Sequence, residues 1–470
     1  MQIAPILRRG LTFAELSAGL AFVVIAALGC MSPAQSDTFW ALRAGEDIWR
    51  TGRIPLVDTY SYTAAGRPWP NHEWLWQALV YALYRTGGFP LVAAAAGAML
   101  TGAYLIAYRL MAGKPAIRLS LLAIGVTLGS SGWSLRPQVA SLLLLSVFLW
   151  FLVHGRYWLI PPLFALWANV HGVVALGLAL LVVALVCAFF FARERAGRLV
   201  LVTGLAMTAT LLSPLGPGLW SFVLGWIVAP RRTGVTEWAH ITLASPEGIA
   251  FSVAGAGFAI LVFRRWRTIQ TWPDRLLVLL ALALLGAACH AVRNAAPFML
   301  IAMPAASRLI ARGAPSGVVR ASSLPIPPSE HPRANLVVLV LGTVTALTVV
   351  SYCWAVRIER LGWRPIGQVG VSAIAACGKP LYNSYEVGGI IIWFVRDTPV
   401  FIDSRHDPYP PEFIIADREV EKGVDAQDFF RDHGFRCAVV AADARLGAAL
   451  RRFGWRPRFQ GGKLLVLEPP

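Results

Sequence analysis

The sequence predicts a polytopic α-helical membrane protein with a small α/β domain at its C-terminal end, and three observations carry that prediction. Of 470 residues, 57% are hydrophobic and only 14% charged, more apolar surface than a soluble chain of this size can bury. About eleven apolar runs approach the roughly 20 residues that a helix needs to cross a bilayer. Beyond residue 356 the pattern changes to short strand-like runs alternating with helical segments.

The runs lie at residues 13–33, 89–110, 117–134, 138–153, 157–170, 172–191, 198–212, 248–263, 276–290, 295–311 and 335–355. The first reads as a retained anchor, because its end from Cys30 to Pro33 has no small-x-small cleavage site. If the spans alternate, the cations Arg8, Arg9, Lys114, Arg118, Arg156, Arg193, Arg195, Arg198, Arg264, Arg265, Arg267, Arg308 and Arg312 all fall on one side. The positive-inside rule makes that side cytoplasmic and the N-terminus with it. The net charge of +17 is therefore a topology signal, set in short clusters between apolar runs, and argues against nucleic-acid binding. Residues 34–88 carry five Arg against five acids, no positive excess, and are placed outside. An odd number of spans puts residues 356–470 outside as well, while the Pro- and Ser-rich stretch 312–334 reads as a cytoplasmic linker.

Within the first outer loop, helix-like spacing runs from Phe39 to Trp49 and is ended by Gly52 and Pro55. A second helix follows in "NHEWLWQALVYALYRTGG", with Asn71 as its N-cap and Gly87 beyond its end. Both are dense in Trp and Tyr, which favour the headgroup level, so the pair is expected to lie on the outer membrane surface. Asp37 stands where the first run surfaces. A carboxylate at a partly apolar interface gains basicity, and the position equally suits a helix cap. Arg136 in "SLRPQ" and Arg293 in "HAVRNAAP" sit at outer ends of runs, opposite the topology-setting cations. Guanidinium forks match phosphate oxygens, though either Arg also fits a snorkelling role. Arg231 and Arg232 are placed to meet anionic headgroups. Asn169 and His171, in "WANVHG", form a polar break between two runs, where irregular backbone lines a cavity or satisfies buried carbonyls.

In the tail, "KPLYNSY", "TPVFIDSR", "RCAVVAAD" and "KLLVLEP" read as strands, with helices in "DAQDFFRDHG" and "ARLGAALRRFG". About 100 residues suffice for one core. The stretch "FIDSRHDPY" sets Asp403, Arg405, His406, Asp407 and Tyr409 at a strand end, where α/β domains bind ligands; an Asp–Arg pair fixing the loop is the alternative. "EVGGIIIW" reads as a tight turn into a buried segment. Of six Cys, Cys377 and Cys437 lie in this domain, as a disulfide or as two buried thiols. No P-loop, dinucleotide fingerprint, HExxH or zinc spacing is present, which argues against nucleotide-driven transport and zinc proteolysis.

One run, an Asp just past it in "SDTFW", an outer loop with amphipathic helices and "GRIP", many further runs, then an outer domain: in this order of parts the chain resembles the GT-C superfamily of membrane glycosyltransferases, which use polyprenyl-phosphate sugars. The likeness extends to bacterial membrane proteins with "DxFWxLRxGxxIxxxGxIPxxDxxSYT", followed by "NHEWLWQ", "LRPQ", "WANVHG", "VRNAAPF" and "GGIIIWFVRDTPVFIDSRHDPY". The resemblance implies a GT-C-like fold in a bacterial inner membrane. It also implies transfer of a sugar from a polyprenyl-phosphate donor to a glycan, lipid or protein acceptor at the outer face. Asp37 is then the candidate base, with Asp58, Glu73 and His72 as competitors. Arg136, Arg293, His171 and Asn169 are candidates for the donor phosphate, and Asp403, Arg405, Asp407 and Tyr409 for the acceptor side. Many GT-C enzymes carry a second acid adjacent to the first or one residue beyond it. Thr38 and Phe39 stand there in this chain, so a divalent cation stays an open question and no metal ligand is assigned. A lipid-linked-sugar transporter or flippase would favour internal repeats and polar residues deep in several spans. A non-catalytic scaffold, with the tail as interaction domain, would tolerate replacement of Asp37.

Overall fold

Each of the apolar runs forms a helix in the computed structural model, which describes residues 10–228, 240–313 and 331–470. Arg8, Arg9, Arg231, Arg232 and most of the 312–334 linker lie outside the described residues. The helices are α1 (Phe13–Cys30), α2 (Ser36–Thr51), α3 (Trp74–Leu110), α4 (Pro115–Gly129), α5 (Pro137–Val153), α6 (Ile160–Val170) and α7 (Val174–Phe191). They continue with α8 (Arg193–Ala209), α9 (Gly218–Val228), α10 (Pro246–Arg265), α11 (Trp272–His290), α12 (Ala295–Arg312) and α13 (Pro332–Val356). Among the described residues nine helices are long and apolar enough to cross a membrane; α5 and α6 occupy the two remaining runs. The chain is a multi-pass membrane protein. At 11 residues, α6 is only about 16 Å long, well short of a hydrocarbon core of about 30 Å. The polar break at His171 that ends it therefore lies at membrane depth, where it has to be enclosed by protein.

Local signals explain most helix ends. Thr12 and Glu15 close a capping box at the start of α1, and Gly52, at φ 66°, supplies the left-handed residue that stops α2. Two sequence expectations are corrected. Asn71 is not an N-cap: it is buried and exchanges two amide hydrogen bonds with Gln77, at 2.9 and 2.6 Å, while Glu73 takes the cap position. Asp37 does not cap α2 either; Gln35 does, and Asp37 lies inside the first turn, where the helix dipole favours a negative charge. Within α3 the outer helix and the second span are two helical stretches divided at Gly87 and Gly88, whose backbone is not helical, as the expected helix end at Gly87 requires.

At the other end of the bundle Asp274, 1% exposed in the first turn of α11, accepts from Arg308 at 2.9 Å and Arg312 at 3.0 Å. Arg308 also donates to the Leu110 carbonyl at 2.8 Å, tying α3, α11 and α12 together. Breaking a buried ion pair costs roughly 3–5 kcal/mol. Asp274→Asn should fall toward the low end or below it, because Arg312 is half-exposed. A lowered thermal midpoint in nanodiscs would register the loss.

The C-terminal domain is a mixed sheet in the order β1-β2-β4-β3. β1 (Leu381–Asn383) runs parallel to β2 (Cys437–Ala441), and β4 (Leu464–Glu468) pairs antiparallel with β2 and with β3 (Arg456–Gly461). Its helices are α14 (Gln368–Ala375), α15 (Tyr385–Phe394), α16 (Pro411–Glu421), α17 (Ala426–His433) and α18 (Arg445–Arg452). Tyr382, Phe401, Phe430, Phe435 and Trp455 build the core beneath the sheet. Cys377 and Cys437 form a disulfide with their Cα atoms 5.6 Å apart.

Two tail segments differ from the sequence reading. "TPVFIDSR" is not a sheet strand: Val400 makes a single parallel bridge to Ser61 of the first outer loop. "EVGGIIIW" is helix α15 rather than a turn. Its glycines permit close approach, since a Cβ on Gly389 would stand 2.2 Å from the Ser36 carbonyl and one on Gly388 2.2 Å from that of Ile402. α15 thus packs against α2, and Val387 and Ile391 join the same core as the membrane helices.

Candidate functional site

Asp37 meets Arg136 because two short segments are tied together. Thr38 donates its hydroxyl to the Leu135 carbonyl at 2.9 Å, and the Leu135 N–H bonds Pro33 at 3.2 Å. Arg136, extended ahead of Pro137 at the start of α5, then reaches across. Its Nε lies 2.8 Å from Asp37 Oδ2, with both side chains about one-fifth exposed. Trp40 Nε1 donates to Asp37 Oδ1 at 3.1 Å, and Ser404 lies near enough to favour the carboxylate. Burial raises the Asp37 carboxyl above its ordinary range, and Arg136, Ser404 and Trp40 only partly offset it.

A second cluster adjoins the first. Glu73 Oε1 lies 3.5 Å from His72 Nε2 and 3.7 Å from His171 Nε2. Trp167 Nε1 donates to Ser141 Oγ at 3.0 Å, and Ser141 Oγ lies 2.8 Å from His171 Nδ1. With one hydrogen bond accepted, Ser141 has its own proton to give to Nδ1, which leaves the proton of a neutral His171 on Nε2, facing Glu73. Asn169 holds the break from behind, accepting from Trp74 Nε1 at 2.6 Å and donating to the Ala165 carbonyl at 2.8 Å.

Charge sorts these groups. His171 is buried with the positive charge of Arg293 near it, a setting that favours the neutral imidazole. Burial also disfavours the His72 imidazolium, but Glu73 outweighs it and lifts His72 to about 9. Burial pushes Glu73 up, yet His72, His171 and Arg136 outweigh it and hold the carboxyl below its ordinary value. The pair is therefore ionised at neutral pH. Since the folded His72 titrates above its unfolded 6.5, its stabilisation is full below about 6.5 and lost as pH rises through about 9. The thermal midpoint of the full-length protein should fall across that window, and His72→Gln should flatten the fall.

The C-terminal domain closes over the site. The Arg405 side chain has no exposed surface. Its Nη2 lies 2.5 Å from Asp58 Oδ1 and 2.7 Å from Asp403 Oδ2, and its Nε donates to Asp403 Oδ1 at 2.8 Å. Tyr409 donates to Asp403 at 2.8 Å. The guanidinium lies 4.9 Å from the Tyr60 ring and 4.8 Å from that of Trp69. Asp58, Asp403, Arg405 and Tyr409 thus engage one another, joining the outer loop to the domain. Asp407 differs: it is half-buried, and burial with the charge of Glu73 lifts it to about 7 against the pull of His72. Of the four acceptor-side candidates it is the one whose charge reaches the His72–Glu73 pair.

Sequence reasoning missed Trp40, Ser141, Trp167 and Ser404. The last was legible inside "FIDSRHDPY"; Ser141 lies one turn beyond Arg136–Pro137, at the same end of α5. Among the described residues no three His, Cys, Asp or Glu side chains are placed to hold a metal ion. At the Asp37 carboxylate the neighbouring charge is the Arg136 guanidinium.

No protein-family model and no curated protein matches the sequence. Solved structures do. Apo ArnT from Cupriavidus metallidurans superposes with a TM-score of 0.54 at 13% identity, over 96% of this chain and 97% of that one. AglB, an oligosaccharyltransferase from Archaeoglobus fulgidus in complex with an inhibitory peptide and dolichol-phosphate, gives 0.51 at 11% identity, over 96% of this chain and 74% of its own. The chain accordingly has a GT-C-like fold, with its small sheet domain at the C-terminal end.

Proposed function

We propose that the protein is an integral membrane glycosyltransferase that moves a sugar from a polyprenyl-phosphate donor to an acceptor at the outer face of the cytoplasmic membrane. On this reading the N-terminus is cytoplasmic and the disulfide-bearing domain extracytoplasmic, where such bonds persist. The observation that carries the reading is the contact between Asp37 and Arg136: a raised carboxyl beside a guanidinium, at the loop end of the spans, in a GT-C-like fold. A protein of the same fold holds dolichol-phosphate, which supports a lipid phosphate as the donor's anchor.

The chemistry is a single displacement. The acceptor hydroxyl oxygen forms a bond to the anomeric carbon as the bond from that carbon to the phosphate oxygen breaks, which inverts the centre. The hydroxyl proton passes to the Asp37 carboxylate, and polyprenyl monophosphate leaves against Arg136 and Arg293. A phosphate that draws Arg136 toward itself also relieves Asp37 of its counter-ion and makes it a better base. Neutral His171, with Asn169 bracing the break, offers a further donor to the phosphate. The competitors are otherwise engaged: Asp58 with Arg405, Glu73 with His72.

Charge-assisted hydrogen bonds contribute about 1.5–3 kcal/mol. Arg136→Gln and Arg293→Gln should therefore each raise the half-saturating donor concentration about 10- to 100-fold. The reading itself is tested by mass spectrometry of polyprenyl-phosphate sugars in membranes of a deletion strain. Accumulation that the wild-type chain clears supports it; unchanged levels with and without the protein reject it.

A further inference from the structure

Between Leu381 and Phe394 every residue is buried or half-buried except Glu386. It lies in the first turn of α15, three residues before Gly389, whose N–H donates to Ser36 Oγ at 3.1 Å. Residues three apart share a helix face, so Glu386 is carried on the face of α15 that meets the start of α2, and Asp37 is the next residue after Ser36. Its charge is coupled to Asp37 and Arg136, and also to Glu421 and Arg418. Neighbouring Tyr385 donates to the Ser404 carbonyl at 3.2 Å, and Ser404 acts on the Asp37 carboxyl. The beginning of α15 and the 403–407 loop therefore form one wall of the site.

Glu386 and Asp37 are differently employed. Asp37 is held by Arg136 and Trp40. Among the described residues no hydrogen bond or ion pair engages the Glu386 carboxylate. The dense surroundings, with Asp37 nearby, lift it to about 7 against the pull of Arg136. The carboxylate suits the first turn of a helix, yet no side chain among the described residues holds it, and it is left open to solvent beside Asp37.

We propose that Glu386 is the acceptor-positioning residue: its carboxylate accepts a hydrogen bond from one hydroxyl of the acceptor and thereby turns a second hydroxyl toward Asp37 and the anomeric carbon. An ionised carboxylate only accepts, so the acceptor class it fits offers at least two hydroxyl donors close together, as a glycan or a sugar-bearing lipid does. No bond to Glu386 forms or breaks, and the proton of the attacking hydroxyl goes to Asp37. This inference rests on the transferase reading.

The test uses full-length variants expressed at matched level in the deletion strain. Their membranes are supplied with radiolabelled polyprenyl-phosphate sugar extracted from that strain, and label entering envelope material is followed against donor concentration. For Glu386→Gln the maximal transfer rate should fall at least tenfold while the half-saturating donor concentration stays within twofold; Glu386→Asp should recover part of the rate. Transfer within twofold of wild type overturns the assignment. So does a parallel shift in half-saturating donor, or an Asp variant no better than the Gln variant. Wild-type membranes that leave the donor untouched instead reject the transferase reading, and the assignment with it.

Discussion

Asp37→Asn is expected to lower sugar transfer by about 10²–10⁴-fold while leaving the protein folded and the donor bound. The amide keeps the shape of the carboxylate, and its oxygen can still accept from Trp40 Nε1, which now donates to Asp37 at 3.1 Å. What it loses is the ability to take a proton, together with the charge that holds Arg136 at 2.8 Å. Donor affinity should be unchanged or tighter, because the released guanidinium is free for phosphate. Mass spectrometry of the deletion strain complemented with either form reads the result: with Asn the polyprenyl-phosphate sugar should stay as high as in the uncomplemented strain. Equal clearance by Asn would mean that the first-turn acid serves the helix dipole alone, and the scaffold reading would move ahead.

Arg405→Met should be the most damaging single change to the fold. It strands Asp58 and Asp403, both with fully buried side chains or nearly so, and removing one partner of a buried pair costs roughly 3–5 kcal/mol. Arg405→Lys should rescue little, because a point ammonium cannot reproduce the fork that meets two carboxylates while lying against Tyr60 and Trp69. Limited proteolysis should then cut between the last span and the domain, with a matching drop in the thermal midpoint. If Arg405 touched the acceptor instead, the melting curve would hold and only acceptor dependence would change.

Alternation of apolar runs assigns Asp37, Arg136, His171 and Arg293 to the same end of their runs, because the runs can be counted. That Asp37 and Arg136 touch was beyond the sequence: their contact depends on Thr38 and Pro33 bonding the segment at Leu135, a matter of helix packing rather than periodicity. Glu386 was hidden by its setting. Two glycines in an apolar run look like a turn until the start of α2 is brought against Gly389 and the Ile402–Asp403 segment against Gly388. β3 escaped notice because "RPRFQG" is a largely exposed edge strand with no apolar alternation. Asn71 misled because cap propensity is a local signal, and the side chain found Gln77 instead.

The Arg405 joint also bears on how the chain is made. Asp58 belongs to the loop after α1, and Arg405 to the domain after α13, with the other described spans between them. Synthesis runs from one end, so the loop must wait, its acid without a cation, while every later span is threaded. The Asp58–Arg405 joint therefore closes only after every described span between the two residues has been made.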